Sequence, residues 1–197
     1  MNEKLNIVLD LDNTIIYGQE YKTARIEKIN NHKKIHVMDK DYYIIERPYL
    51  QDFLTFLFDN FNVSVWTAAS KNYGLFIIQK IILIKKNRKI DWFFHSDHCA
   101  ISSNISDSKE QKDLNILYHK FNIINYNIKN TIIIDDNDLV YKTQPNNCIH
   151  IKPFNIKGFK DNVLEKLQIY LLNEFLKIKN IDIKNSVKKI NSYKDII

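Results

Sequence analysis

The sequence predicts an α/β fold, a Rossmann-like central parallel sheet flanked by helices with a small β-hairpin flap, on three observations. Short continuous apolar runs at Ile7 to Leu9, Val63 to Trp66 and Thr131 to Ile134 read as strands buried on both faces, as in a parallel sheet covered by helices. Between them lie stretches with apolar residues at helical spacing. Each run also ends abruptly in polar residues, and in open α/β sheets ligands bind in the crevice beyond the carboxyl ends of the strands.

The first strand ends at Asp10-Leu11-Asp12-Asn13-Thr14. Two carboxylates one residue apart repel unless a proton or cation holds them together, and a hard ion such as Mg²⁺ does so through oxygen ligands. An aspartate can also be the nucleophile in phosphoryl transfer, with a second acid making and breaking the acyl phosphate. The plainer alternative is an acidic turn capping a helix, with Thr14 as a local hydrogen-bonder. Within residues 15–46, Lys34 to Met38 and Tyr42 to Glu46 alternate about Asp39-Lys40-Asp41, which reads as a hairpin. This flap is expected over the crevice, with Tyr17, Tyr21, Tyr42 and Tyr43 as aromatic candidates for substrate contact or packing. Arg47-Pro48 opens a helix running to Phe61, whose stripe of Leu50, Phe53, Leu54, Leu57 and Phe58 is core.

The second strand ends in Thr67-Ala68-Ala69-Ser70, a hydroxyl and backbone N–H groups suited to phosphate oxygens, before a helix expected over 71–90. Phe93 to Lys112, rich in Ser, Asn and Asp, reads as a loop or small insertion near the site. A third helix is expected over 113–122. Thr131 to Ile134 then runs into Asp135-Asp136-Asn137-Asp138, a second acidic cluster that supplies oxygens a metal needs beyond those of Asp10 and Asp12. Cys148 to Ile151 is expected as an edge strand, and 160–178 as a last helix with Val163, Leu167, Tyr170, Leu171 and Phe175 inward. The tail from Lys177 alternates Lys, Asn and Ile without a clear face, as a frayed helix or partner-binding arm would.

At 197 residues and 45% hydrophobic the chain can bury one full core, read as a single domain over 1–180 followed by a tail over 181–197. Two cysteines imply no disulfide framework and hence an intracellular compartment, cytoplasmic or nuclear. No signal peptide is visible, and the longest apolar stretch, Leu75 to Ile84, is interrupted by Gln79 and Lys80 and is too short to span a bilayer, so no membrane partner is expected. Three glycines, Gly18, Gly74 and Gly158, leave no glycine-rich loop for nucleotide phosphates. Cysteine-nucleophile phosphatases are excluded because Ile105 and Phe154 stand six positions beyond Cys99 and Cys148, where an arginine would grip phosphate. His95-Ser96-Asp97-His98-Cys99 lacks the paired, separated ligand sets of zinc sites. The net charge of +6 favours anionic partners, yet the lysines are scattered through Lys/Asn/Ile-rich segments that fit an AT-rich genome, such as that of a large DNA virus or a parasite.

The order DLDNT, VWTAAS, KDL, IIIDDN resembles the four motifs of the haloacid dehalogenase superfamily of aspartate-nucleophile phosphatases. Arg47-Pro48 about twenty residues before VWTAAS, and KDL before IIIDDN, are similar to the small phosphatases of the C-terminal repeats of RNA polymerase II. The resemblance covers residues 5 to 172. It implies that Asp10 attacks phosphorus and that Asp12 protonates the leaving oxygen and then activates water. It implies phosphoryl oxygens held by Thr67, the Ala68 N–H and Lys112. It also implies Mg²⁺ held by the Asp10 carboxylate, the Asp12 main-chain carbonyl and Asp136, with Thr14 in support and Asp135 acting through water or by orienting Lys112. Many of the polymerase-tail enzymes have Asn where Asp136 stands.

There is no room for the large cap domain with which small-molecule phosphatases of this superfamily enclose substrate. An open crevice favours a macromolecule, so the expected substrate is a phosphoserine or phosphothreonine protein. The alternatives are a nucleic-acid 3′-end phosphatase, favoured only by the basic charge, and a non-catalytic adaptor on the same scaffold, as some relatives serving mitochondrial protein import have become. The adaptor reading predicts lost motif residues, yet all are present. His95 lies near the place where an arginine of the polymerase-tail enzymes helps read the peptide, so recognition of the polymerase repeat does not follow from the motifs.

Overall fold

The computed structural model describes residues 4–23, 34–39, 41–103, 112–156, 160–178 and 181–196. After β1 (Asn6–Leu9), the chain forms a flap from β2 (Ile16–Glu20), β3 (Ile35–Met38) and β4 (Tyr42–Glu46). It then contributes β5 (Asn62–Trp66), β6 (Phe93–Phe94), β7 (Thr131–Asp135) and β8 (Cys148–His150). The central sheet is parallel throughout, in the order β6-β5-β1-β7-β8, with β8 at the edge as the sequence predicts. Its strands are continuously apolar because both faces are covered. Ile7, Leu9, Val63, Val65, Ile132 and Ile134 pack into one core, while Val8, Trp66, Ile133 and Cys148 pack into another.

Leu9 pairs with Val65 on one side and Ile134 on the other, so Asp10 emerges level with Asp135 and one residue short of Thr67. The chain leaves β1 towards opposite edges of the sheet, which opens a crevice at its carboxyl end. The flap is a separate antiparallel sheet, order β2-β4-β3, so the expected hairpin gains a third strand from the segment before it. Lys40 and residues 24–33 of the predicted flap lie outside the described residues. Ile45 and Phe154 are the flap's own core, with Tyr17, Ile35 and Tyr43 packed around them.

The helices depart from expectation where tertiary contacts outweigh local pattern. Helix α1 (Leu50–Asn60) buries Leu50, Phe53, Leu54 and Leu57, as its spacing predicts. Helix α2 (Lys71–Ile77) widens into a π-helical turn (Ile78–Ile82) and stops there, well short of residue 90. The buried Arg88 guanidinium explains the stop: it donates to the Ile82 carbonyl (2.9 Å), the Gln51 carbonyl (2.8 Å) and Thr55 Oγ1 (3.0 Å), taking over a carbonyl that a longer helix would use. Ser96–Ser103, read as loop, is helix α3, because Cys99 turns into the second core and accepts from the Trp66 indole N–H at 3.2 Å. Residues 104–111 of that stretch lie outside the described residues.

The third expected helix shrinks to a π-helical turn (Ile116–Lys120), since the Asp113 side chain accepts from the Asn115 N–H (2.9 Å) and holds a turn where a helix would begin. Helix α4 (Asp138–Thr143) was not expected, although Asn137 is a legible cap, accepting from the Leu139 N–H at 2.9 Å. Helix α5 (Val163–Leu171), extended by a π-helical turn (Leu172–Leu176), buries Val163, Leu167, Leu171 and Phe175 as predicted.

The Lys/Asn/Ile tail has a face after all. Helix α6 (Ile183–Ile190) buries Ile183, Val187 and Ile190 in the first core, with Ile196 beyond it. The polar residues between them had masked this three-to-four-residue spacing. Asn191 accepts from the His150 N–H (3.0 Å) and donates to the Cys148 carbonyl (2.9 Å), covering the free edge of β8. Ile190→Ala is therefore expected to cost about 2–5 kcal/mol in urea unfolding, where a solvated tail would show no change.

Candidate active site

Asp10, Asp12, Thr14, Thr67, Lys112, Asp135 and Asp136 converge at the carboxyl ends of β1, β5 and β7. Lys112 is buried, and its ammonium donates to Asp10 Oδ1 and to Asp135 Oδ2, the latter at 2.8 Å. Burial alone would lower its pKa, but the two carboxylates outweigh burial and hold it well above the usual lysine value. Gln144, which sequence reasoning missed, clamps the backbone around this lysine: its Nε2 donates to the Lys112 carbonyl (2.5 Å) and its Oε1 accepts from the Leu114 N–H (2.9 Å). Asp135 Oδ1 also accepts from the Asn137 N–H (2.9 Å), which fixes that carboxylate towards the lysine.

Asp10, Asp135 and Asp136 each offer an oxygen within 4.8 Å of the others, a group of carboxylates able to hold a metal ion. Thr14 Oγ1 donates to Asp136 Oδ1 (3.3 Å). Burial pushes the Asp10 carboxyl up to about 6 despite Lys112, and burial together with Asp10 pushes Asp136 up to about 6. Three crowded carboxylates with one ammonium between them leave negative charge for a hard cation to offset, and every donor is oxygen, the ligand Mg²⁺ prefers. Among the described residues no histidine or cysteine joins such a group. His95 and His98 instead stack edge to face, 4.5 Å between ring centroids, beside Phe93 and Phe94.

The Asp12 carboxylate is held by other partners. Tyr73, also missed from the sequence, donates its hydroxyl to Asp12 Oδ1 at 2.6 Å, and Thr67 Oγ1 donates to Oδ2 at 3.4 Å. Burial pushes Asp12 up to about 6 against the pull of the tyrosine. Burial and Asp12 raise the Tyr73 phenol well above its ordinary value, so it remains a donor. Thr67 Oγ1 also accepts from the Ala69 N–H (3.0 Å), which closes the turn that leaves Ala68 exposed at the strand end.

Gly18 of β2 gives the tyrosine its room, because a Cβ there would collide with the Tyr73 hydroxyl and lie 3.3 Å from Asp12 Oδ1. The flap therefore stands beside Asp12, and its Tyr42 meets the Tyr73 ring edge to face at 5.3 Å. Of the other flap aromatics, Tyr21 stacks on Tyr43 at 4.8 Å.

Arg47 ties the frame together. Its buried guanidinium donates to the Thr14 carbonyl (2.8 Å), to the Lys152 carbonyl (2.8 Å) and, through Nε and Nη2, to the Asp161 carboxylate (2.9–3.1 Å). Asn13, at φ 59°, turns the loop after β1 through the left-handed region that Asn tolerates, and its carbonyl accepts from the Phe154 N–H at 2.6 Å.

Residues 5–182 match the family model described as NLI interacting factor-like phosphatase. The chain belongs to this family. Within the NLI interacting factor-like phosphatases, and so within the haloacid dehalogenase superfamily that the four motifs resemble, viral relatives stand out. The CTD phosphatase-like protein 355R of Invertebrate iridescent virus 6 is 41% identical over 155 residues, covering 76% of this chain and 85% of the relative. Its counterpart in Invertebrate iridescent virus 3 is 40% identical over 162 residues, covering 78% and 86%. These relatives fit the viral reading of the Lys/Asn/Ile-rich composition.

The human ubiquitin-like domain-containing CTD phosphatase 1 is 27% identical over 181 residues, which cover 80% of this chain and 56% of that protein. Among solved structures, Fcp1, an RNA polymerase II CTD phosphatase, superposes with a TM-score of 0.57 over 93% of this chain and 56% of its own, at 17% identity, a likeness of fold. Among the described residues no helix is long and apolar enough to cross a membrane.

Because Arg47 is buried, Arg47→Met takes the guanidinium from two carbonyls and from the Asp161 carboxylate, which among the described residues keeps only the Val163 N–H. A loss of about 3–5 kcal/mol is expected in urea unfolding.

Proposed function

We propose that this chain is a Mg²⁺-dependent phosphatase acting on phosphoserine or phosphothreonine of a protein through an aspartyl-phosphate on Asp10. The observation that carries the reading is the buried Lys112 ammonium held between Asp10 and Asp135 at the carboxyl end of the sheet. It orients the Asp10 carboxylate and places fixed positive charge where a phosphoryl group would develop negative charge.

An Asp10 oxygen attacks phosphorus and the bond from phosphorus to the seryl or threonyl oxygen breaks. The leaving oxygen takes its proton from Asp12. The Asp12 carboxylate then takes a proton from water, whose oxygen attacks phosphorus. The acyl phosphate bond breaks, which releases inorganic phosphate and restores Asp10. Thr67, the Ala68 N–H and Lys112 receive the phosphoryl oxygens. The Asp10 carboxylate, the Asp12 main-chain carbonyl and Asp136 would hold Mg²⁺, with Asp135 directing Lys112. The bound cation supplies neutralising charge to the phosphoryl oxygens. The relatives named CTD phosphatases make polymerase-tail phosphopeptides the first substrates to try, and the presence of every motif residue speaks against a non-catalytic adaptor.

Turnover of phosphoserine and phosphothreonine peptides should require Mg²⁺, be lost with a chelator, and fall about 10⁴-fold or more in Asp10→Asn. Release of phosphate from 3′-phosphorylated oligonucleotides and not from peptides would overturn the substrate assignment. Tyr73→Phe removes the hydroxyl that holds the acid, so kcat should fall about tenfold to a hundredfold, the worth of a hydrogen bond to a charged group, with KM little changed. An unchanged kcat would remove the tyrosine from the mechanism.

A further inference from the structure

A cavity of about 610 Å³ opens beside the nucleophile loop, and its lining includes Lys152, Lys160, Asp161, Lys166, Lys194 and Asp195. Its two carboxylates are already engaged. Asp161 accepts from the Arg47 guanidinium and, at 3.1 Å, from the Val163 N–H, while Asp195 pairs with Lys166 at 3.0 Å. Among the described residues this leaves Lys152, Lys160 and Lys194, all exposed, as positive charge without a carboxylate. Like charges around one water-accessible hollow repel, and a dianion relieves that repulsion; a phosphate monoester, with several acceptor oxygens, suits flexible ammonium groups.

The cavity shares its wall with the catalytic loop. Phe154, between the lining residues Pro153 and Asn155, donates its N–H to the carbonyl of Asn13, the neighbour of Asp12. Arg47 links the Lys152 carbonyl to that of Thr14. The hollow and the Asp10 carboxylate are thus mounted on one hydrogen-bonded unit. An extended substrate advances about 3.3–3.6 Å per residue, so the spacing between two phosphates on one chain decides whether both places are reached together.

We propose that this cavity binds a second phosphate group on the same protein chain whose first phosphate is at Asp10, so that multiply phosphorylated chains are the preferred substrates. The inference rests on the phosphoprotein reading above. It is tested with the Mg²⁺-loaded full chain by comparing peptides carrying one phosphoserine with peptides carrying two at graded spacings, in the native chain and in Lys152→Gln/Lys160→Gln/Lys194→Gln. At the matching spacing the doubly phosphorylated peptide should show a KM about tenfold lower. The triple variant should lose that gain while its kcat and KM on the singly phosphorylated peptide stay unchanged, which also shows that it folds.

Equal KM values for the two peptides in the native chain would overturn this inference alone, whereas no turnover of either would overturn the phosphoprotein reading with it. Glutamate matching the second phosphoserine would reduce the effect to general attraction by a basic surface and overturn it. So would inorganic phosphate reproducing the gain on the singly phosphorylated peptide, which would assign the hollow to free phosphate. A triple variant that lost oligonucleotide binding with peptide KM values intact would assign it to nucleic acid.

Discussion

One ammonium group shared by two buried carboxylates organises this molecule. Asp10 and Asp135 end adjacent strands of the same sheet, and their charges would repel across the crevice without the lysine between them. Burying a cation is unfavourable by itself, so Lys112 stays charged in the interior only because both carboxylates face it. Each of the three therefore depends on the other two. That dependence aligns Asp10 and leaves Asp136, which among the described residues forms no ion pair with a lysine, as a further carboxylate at the site.

A second set of contacts converts the sheet end into a framed site. Arg47 sits where the flap hands over to α1, yet it donates to the loop after β1, to the connection after β8 and to Asp161 ahead of α5. Flap, the loop after β1 and the basic cavity are consequently positioned by a single guanidinium whose planar fork matches several acceptors at once. On the other side of the loop, Gly18 and Tyr73 perform the same service for Asp12: the absence of a Cβ on the flap lets a phenol reach the carboxylate. The small antiparallel sheet thus stands against Asp12 and Tyr73 at the end of the central sheet.

Much of this was legible in the chain because it depends on local order along strands. Apolar runs that end in acids announce both a buried parallel sheet and the residues at its carboxyl end, and Asp10, Asp12, Thr67, Asp135 and Asp136 are such residues. Lys112 could be singled out only by its place in the motif series, since nothing local distinguishes it from a surface lysine. Tyr73 was invisible for a related reason: it reads as one more helical aromatic, and its role arises from a glycine more than fifty residues earlier. The tail misled because polar residues between Ile183, Val187 and Ile190 hid a regular face.

By itself, then, the sequence determined the α/β class, which strands carry the motifs and the acidic character of their carboxyl ends, because these follow from periodicity and from what lies immediately beyond each strand. Only the tertiary structure decided the helix limits, the docking of α6, the partners of Lys112, Arg47 and Tyr73, and the gathering of lysines around one cavity. Those features rest on contacts between segments far apart in the chain, where burial and charge pairing outweigh any preference written into neighbouring residues.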